Sequence, residues 1–173
     1  MLAVLLIAAT ISDIRHHRIP NLLTFGGALL ALSLQTVFFG WSGLGAALGG
    51  LVIGLLCFLP FYVAGGFAAG DVKLMAAVGA FVGPLFAAYA VAATLIAGGV
   101  LAMVVLLRGE RVKAAFQRYG LIIKTFFYTR KLVYIRPEQG DAATQRFPYA
   151  LAILTGTMFV IWHQTGTWFG WGG

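Results

Sequence analysis

Only two positions in the first 109 residues carry a carboxylate, Asp13 and Asp71, and both stand at the edges of long apolar runs. A charged group near a bilayer core costs about 2.5–3.5 kcal/mol even on the most lenient scale. An acid in such surroundings has to be sheltered or used, so both positions are functional candidates. The remaining acids, Glu110, Glu138 and Asp141, fall in a basic stretch nearer the C-terminus.

The apolar runs decide the class. Of 173 residues, 61% are hydrophobic and 10% charged, with a mean hydropathy of +0.93. A soluble domain carries roughly 25% charged residues, so this chain has too little polar surface to fold as one. The expectation is an all-α, polytopic membrane helix bundle forming a single domain over 1–173. A span needs about 20 apolar residues, fewer inside a bundle. The runs divide into about six spans, near 1–14, 21–39, 43–64, 72–83, 84–107 and 147–168. The fourth is short and would need a tilt, a re-entrant position or local thinning to cross. Gly43, Gly45, Gly49, Gly50 and Gly54 place small residues at near-helical spacing in the third, which suits close helix packing in lipid; a substrate groove along that face is the alternative.

Charge sets orientation. Net charge is +7, and nine of the twelve Lys and Arg lie between Arg108 and Arg146. Clustered cations beside apolar spans mark cytoplasmic loops and not a nucleic-acid surface. Arg15, Arg18 and Lys73 are the other three, and they place the turn after the first span and the start of the fourth on the same side. The uncharged Gly40-Trp41-Ser42 then lies outside, as do both termini, with Trp41, Trp162, Trp168 and Trp171 as an outer interfacial belt. Asp13 and Asp71 share the cytoplasmic side. Within the 108–146 loop, residues 121–135 mix aromatics with cations and suit an amphipathic segment on anionic lipid, or a docking site for a substrate or assembly partner. The run Met1–Ile11 has no cation ahead of it and no small-residue cleavage site, so it reads as a first span and not a signal peptide, whether or not the N-terminus is complete.

Several other signals are weak. Cys57 can form neither an intramolecular disulfide nor a Cys-based zinc site and reads as a small buried apolar residue. His16 and His17 are adjacent in a basic turn and read as interfacial, and His163 has no acid nearby. Neither a metal nor an organic cofactor is expected. Gly65–Gly70 lacks the Gly-Lys-Ser/Thr of a phosphate loop.

Taken singly, each aspartate has a plain structural reading. Ile19 before Pro20 is pushed out of the α region, so the first helix ends there and Asn21 begins the next. Asp13 could pair with Arg15 or Arg18. Asp71 after Gly70 could be an N-cap. Their conjunction favours a shared site. Asp13-x-Arg15-x-x-x-Ile19-Pro20-Asn21 resembles the first aspartate motif of bacterial type IV prepilin peptidases, intramembrane aspartic proteases. Ala68-Ala69-Gly70-Asp71-Val72-Lys73-Leu74 resembles their second, GxGD with its D-V/I-K-L continuation, and Phe147–Ala152 resembles their Pro-Tyr-containing final helix. Ala68 stands where the family has the first Gly, which bears on the turn before Asp71.

The resemblance implies a catalytic pair, Asp13 and Asp71, with Arg15, Pro20, Asn21, Gly70 and Lys73 supporting the motifs. It implies a leader peptidase that cleaves type IV or Flp-type prepilins at the cytoplasmic face of the bacterial inner membrane. Pilus assembly or secretion machinery and lipid are further partners. The paired-cysteine region of the long members is missing, so no methyltransferase activity is expected, and the chain is similar to short Flp/Tad-type members. Of two carboxylates in one site, one is protonated and one ionised. Lys73 either snorkels at the interface or tunes the pair. Two rivals stay open: a transporter or channel with the acids as proton or cation ligands, and a non-catalytic scaffold of a pilus or secretion system.

Overall fold

The computed structural model describes residues 1–108 and 149–168, and every described element is helical. In order these are α1 (Leu2–His16), α2 (Asn21–Val63), α3 (Ala69–Val82), α4 (Pro84–Arg108) and α5 (Tyr149–Trp168). The expectations for the 108–146 loop, the 121–135 segment, Pro148 and the side chains of Trp168 and Trp171 fall outside the described residues. The chain divides into two units, Met1–Gly98 with Pro148–Gly173 and Gly99–Phe147. The packing that follows, and both aspartates, belong to the first.

The turn between α1 and α2 forms as its residues dictate. His17 closes α1 in the left-handed region, φ 51° and ψ 33°, and its N–H reaches the Asp13 carbonyl at 2.8 Å. Pro20 is extended, φ −59° and ψ 137°, and its carbonyl accepts the Leu23 N–H at 3.0 Å to open α2. Proline suits this position because its ring fixes φ and it lacks the N–H that a helix start leaves unpaired.

A straight α2 of 43 residues would measure about 65 Å, twice the roughly 30 Å hydrocarbon core. It is broken at Gly40, φ 62° and ψ −145°, a conformation that glycine adopts at little cost. The two arms run in opposite directions along α3. Before the break, Asn21 meets Lys73 near the start of α3, and the Gln35 amide donates to the Phe81 carbonyl near its end at 2.9 Å. After it the order reverses: Gly50 abuts Gly79, and Gly54 abuts Met75. The turn expected at Gly40–Ser42 is therefore a helical hairpin.

These contacts depend on glycine. A Cβ at Gly50 or Gly79 would run into the other's backbone, and one at Gly54 would meet the Met75 carbonyl. Gly45, by contrast, faces open space. The spacing thus serves packing at Gly43, Gly50 and Gly54, with Gly43 set against the Gln35 backbone.

Helix α3 is short, at 14 residues, and is buried among its neighbours. Val72, Leu74, Met75, Ala76, Ala77, Val78 and Ala80 are all buried. Neighbouring helices cover most of its surface. It begins at Ala69, so Asp71 lies inside the helix and not before it. Gly83, φ 79°, ends it, and Pro84 starts α4 at once.

Around the core of Leu6, Phe58, Leu74, Met75, Val78 and Ile153, much of the buried contact is made by small residues. Ala9, Ala31, Ala47, Ala87, Ala90 and Ala152 fill the interior beside Thr10, Thr24, Thr94 and Thr157. Large apolar residues point outward at helical spacing: Val4, Ile7, Ile11 and Ile14 on α1, and Leu48, Val52, Leu56 and Leu59 on α2. Small residues at helix contacts let backbones approach closely in lipid. Cys57 is exposed, which corrects the expectation of burial: it lies beside outward-facing Leu56, on the outer side of α2. α2, and α4 over Pro84–Val104, are long and apolar enough to cross a membrane.

Candidate active site

Asp13 lies three residues from the end of α1, and Asp71 is the third residue of α3. Both are buried, 7% and 5% exposed. They lie within electrostatic reach of one another, so the two helix ends bring together acids 58 positions apart in sequence.

Asp13 does not pair with Arg15 or Arg18. Its Oδ2 accepts the Ala150 N–H at 3.2 Å, from the first turn of α5. Thr10, one turn earlier on the same face of α1, places its hydroxyl 2.8 Å from the Leu6 carbonyl and 3.3 Å from that of Ala150. Thr10 and Asp13 thus grip the Ala150 residue by both its polar backbone groups. A carboxylate at a helix N-terminus is held by free N–H groups and by the helix dipole.

Asp71 is held in a similar way. Its Oδ2 accepts the Ala68 N–H at 3.0 Å. This is the return half of a capping box; Ala68 has no side-chain acceptor to make the other half. Asp71 therefore occupies the third helical position and is not the N-cap. Ala68 has φ −82° and ψ 153°, which any L-residue adopts, so alanine in place of the family's glycine strains nothing. Neither carboxyl's Oδ1 has a hydrogen bond among the described residues. Each acid is thus anchored by one oxygen.

The two sequence motifs meet at two points. Ile19 packs on Gly70, where an added Cβ would stand 3.2 Å from the Ile19 Cβ. The Lys73 ammonium donates to the Asn21 side-chain carbonyl at 2.9 Å and lies 5.2 Å from the centre of the Phe25 ring. Pro20 opens the helix that carries Asn21. Arg15 is exposed and makes no contact with this group. Among the described residues no cluster of three His, Cys, Asp or Glu could hold a metal ion.

A segment with this order of motifs has a counterpart among known proteins: the type IV leader peptidase family matches over residues 1–103. The chain belongs to that family. No curated protein and no solved structure matches it. As a type IV leader peptidase it is a peptidase and, with its two long apolar helices, a membrane protein. The match takes in both aspartates of this peptidase and the whole of α3.

Sequence reasoning missed several residues of the peptidase's site. Thr10 carried a signal, since it stands three positions before Asp13 and shares its helix face. Ala150 carried none, because a backbone N–H works whatever the side chain. Phe67 packs against Tyr149, ring centres 4.3 Å apart and planes tilted by 41°; Tyr149 was noticed only as part of the Phe147–Ala152 resemblance.

Proposed function

We propose that this peptidase removes the N-terminal leader of type IV or Flp-type prepilins by an aspartyl mechanism, with Asp13 and Asp71 as the catalytic pair. The observation that carries the reading is their burial at one end of the helices, each tethered by a single carboxylate oxygen to a backbone N–H. Two buried carboxyls in reach of one another cannot both ionise cheaply, so the pair holds one proton. The ionised member takes a proton from water as it attacks the scissile carbonyl, and the protonated member donates to the carbonyl oxygen. The amine then leaves with a proton from the pair. The roles belong to the pair, which titrates as a unit.

The six helical segments, with the arms of α2 counted separately, suit six spans in a bacterial inner membrane. Arg15, Arg18 and Lys73 beside the pair favour the cytoplasmic face for the site. A prepilin presents a short basic leader, a Gly at the cut and an apolar helix. A pair at the cytoplasmic edge lets the leader stay in water while the helix lies against the bundle. Lipid surrounds the enzyme, and pilus assembly or secretion machinery receives the product.

Co-expression with a prepilin tests this. Wild type should remove the leader, and Asp13→Asn and Asp71→Asn should each leave it uncut while still inserting. Leader removal by either Asn variant defeats the aspartyl assignment.

A further inference from the structure

Helix α5 begins where it can touch the surroundings of both acids. Its first residue, Tyr149, places its ring 4.3 Å from that of Phe67 and 6.4 Å, edge-on, from that of Phe58. Phe67 stands in the loop that runs directly into Ala68 and Asp71. Phe58 and Phe61 hold it from other sides, with centres 4.8 Å and 5.2 Å away. Tyr149 therefore ends an aromatic run that clasps the loop before Asp71. The next residue supplies the N–H that anchors Asp13.

The phenol is confined as well. On α4, an added Cβ at Gly98 would collide with the Tyr149 hydroxyl. That hydroxyl lies within electrostatic reach of Asp71 and has no hydrogen bond among the described residues. What the structure uses is the ring.

We propose that Tyr149 is a positioning residue for peptide cleavage: its ring, packed against Phe67, registers the start of α5 against the Asp71 loop, and through the Ala150 N–H it sets Asp13 opposite Asp71. The inference rests on the aspartyl reading above. It differs from a general packing role in a definite way. Loss of the ring contact moves one acid relative to the other, so turnover suffers while substrate binding does not. A misplacement of about 1 Å at a reacting centre can cost on the order of 100-fold.

The test uses the full chain, purified in detergent, and a synthetic peptide with a short basic leader, a Gly and an apolar segment. Tyr149→Phe keeps the ring and should hold kcat within about twofold, whereas Tyr149→Leu should lower kcat about 10- to 100-fold with KM within about threefold. Phe67→Leu removes the same ring contact from the other side. It should behave alike, and the double variant should be no worse than either single one, as for residues acting as one unit. A second readout needs no activity. Hydrogen exchange at the Ala150 amide, whose N–H is held by Asp13, should be about tenfold faster or more in Tyr149→Leu and in Phe67→Leu than in wild type, with both aspartates in place. Unchanged exchange at Ala150 in both variants overturns the proposal, whatever kcat does. So does a loss seen only in KM. If the wild-type chain fails to cut the peptide, the aspartyl reading is what fails, and the exchange comparison still decides whether Tyr149 sets the start of α5 against Asp13.

Discussion

The Lys73 ammonium and the Asn21 side-chain carbonyl, 52 positions apart in sequence, meet at 2.9 Å and tie the start of α2 to the second turn of α3. Lys73 also lies over the Phe25 ring. Two residues after Asp71, Lys73 therefore braces α2 against α3, and among the described residues it makes no ion pair with Asp71.

A brace of this kind has a measurable consequence. Lys73→Met and Asn21→Ala should each lower kcat by about tenfold, and the double variant should match the worse single one, because the two side chains act through one contact. Full additivity of the two losses in cleavage assays would show that they act separately.

Gly70 and Ala68 should respond in opposite ways. Ala68→Gly should leave activity within about twofold and slightly lower stability, since alanine already fits its extended backbone and glycine only frees the unfolded chain. Gly70→Leu should abolish cleavage, because its side chain would have to displace Ile19 from the contact between the motifs. Cleavage assays beside thermal unfolding in detergent check both.

Stability should follow backbone proximity and not the mere presence of glycine. Gly50→Ala places a methyl against the Gly79 carbonyl and should cost about 1–3 kcal/mol, the usual range for overpacking. Gly45→Ala meets open space and should leave the unfolding midpoint unchanged or raise it, as alanine favours the helix. Equal effects at the two sites would contradict the packing described.

How much of this was legible in the sequence varies with the physics involved. Proline restricts the backbone at Pro20 and Pro84, and glycine permits the positive φ at Gly40 and Gly83, so the breaks they mark fall where expected. The start of α3 was missed by three residues. Nothing in Ala69-Gly70-Asp71 announces a helix, and Asp71 reads equally well as an N-cap or as a residue of the first turn. Alanine- and glycine-rich runs do not say whether lipid or protein covers them, so the central place of α3 was hidden. The aspartates stood out because a lone acid in an apolar chain is costly. Their anchors did not, because the Ala150 N–H reaches Asp13 across 137 positions and no pattern in either segment encodes that contact. Of the expected six spans, α2 and α4 have the length and composition that mark a crossing.

Orientation can be read with cysteines placed in the described turns of a Cys57→Ser chain. Gly66→Cys, near the aspartates, should react with a membrane-impermeant thiol reagent only after the cytoplasmic face is opened. Ser42→Cys, beside the Gly40 hairpin, should react in intact cells. The reverse pattern would put the acids on the wrong side for an uncut leader.

The central claim is that Asp13 and Asp71 together hydrolyse a peptide bond. It is tested most directly by the turnover of purified wild type, Asp13→Asn and Asp71→Asn on one leader peptide, with the products weighed by mass spectrometry. Wild type should make a single cut at the end of the leader. Each Asn variant should fold and insert as wild type does, yet lose about 1,000-fold or more in kcat, as when one member of a concerted catalytic set is removed. Retention of substantial turnover by either folded variant would contradict the account.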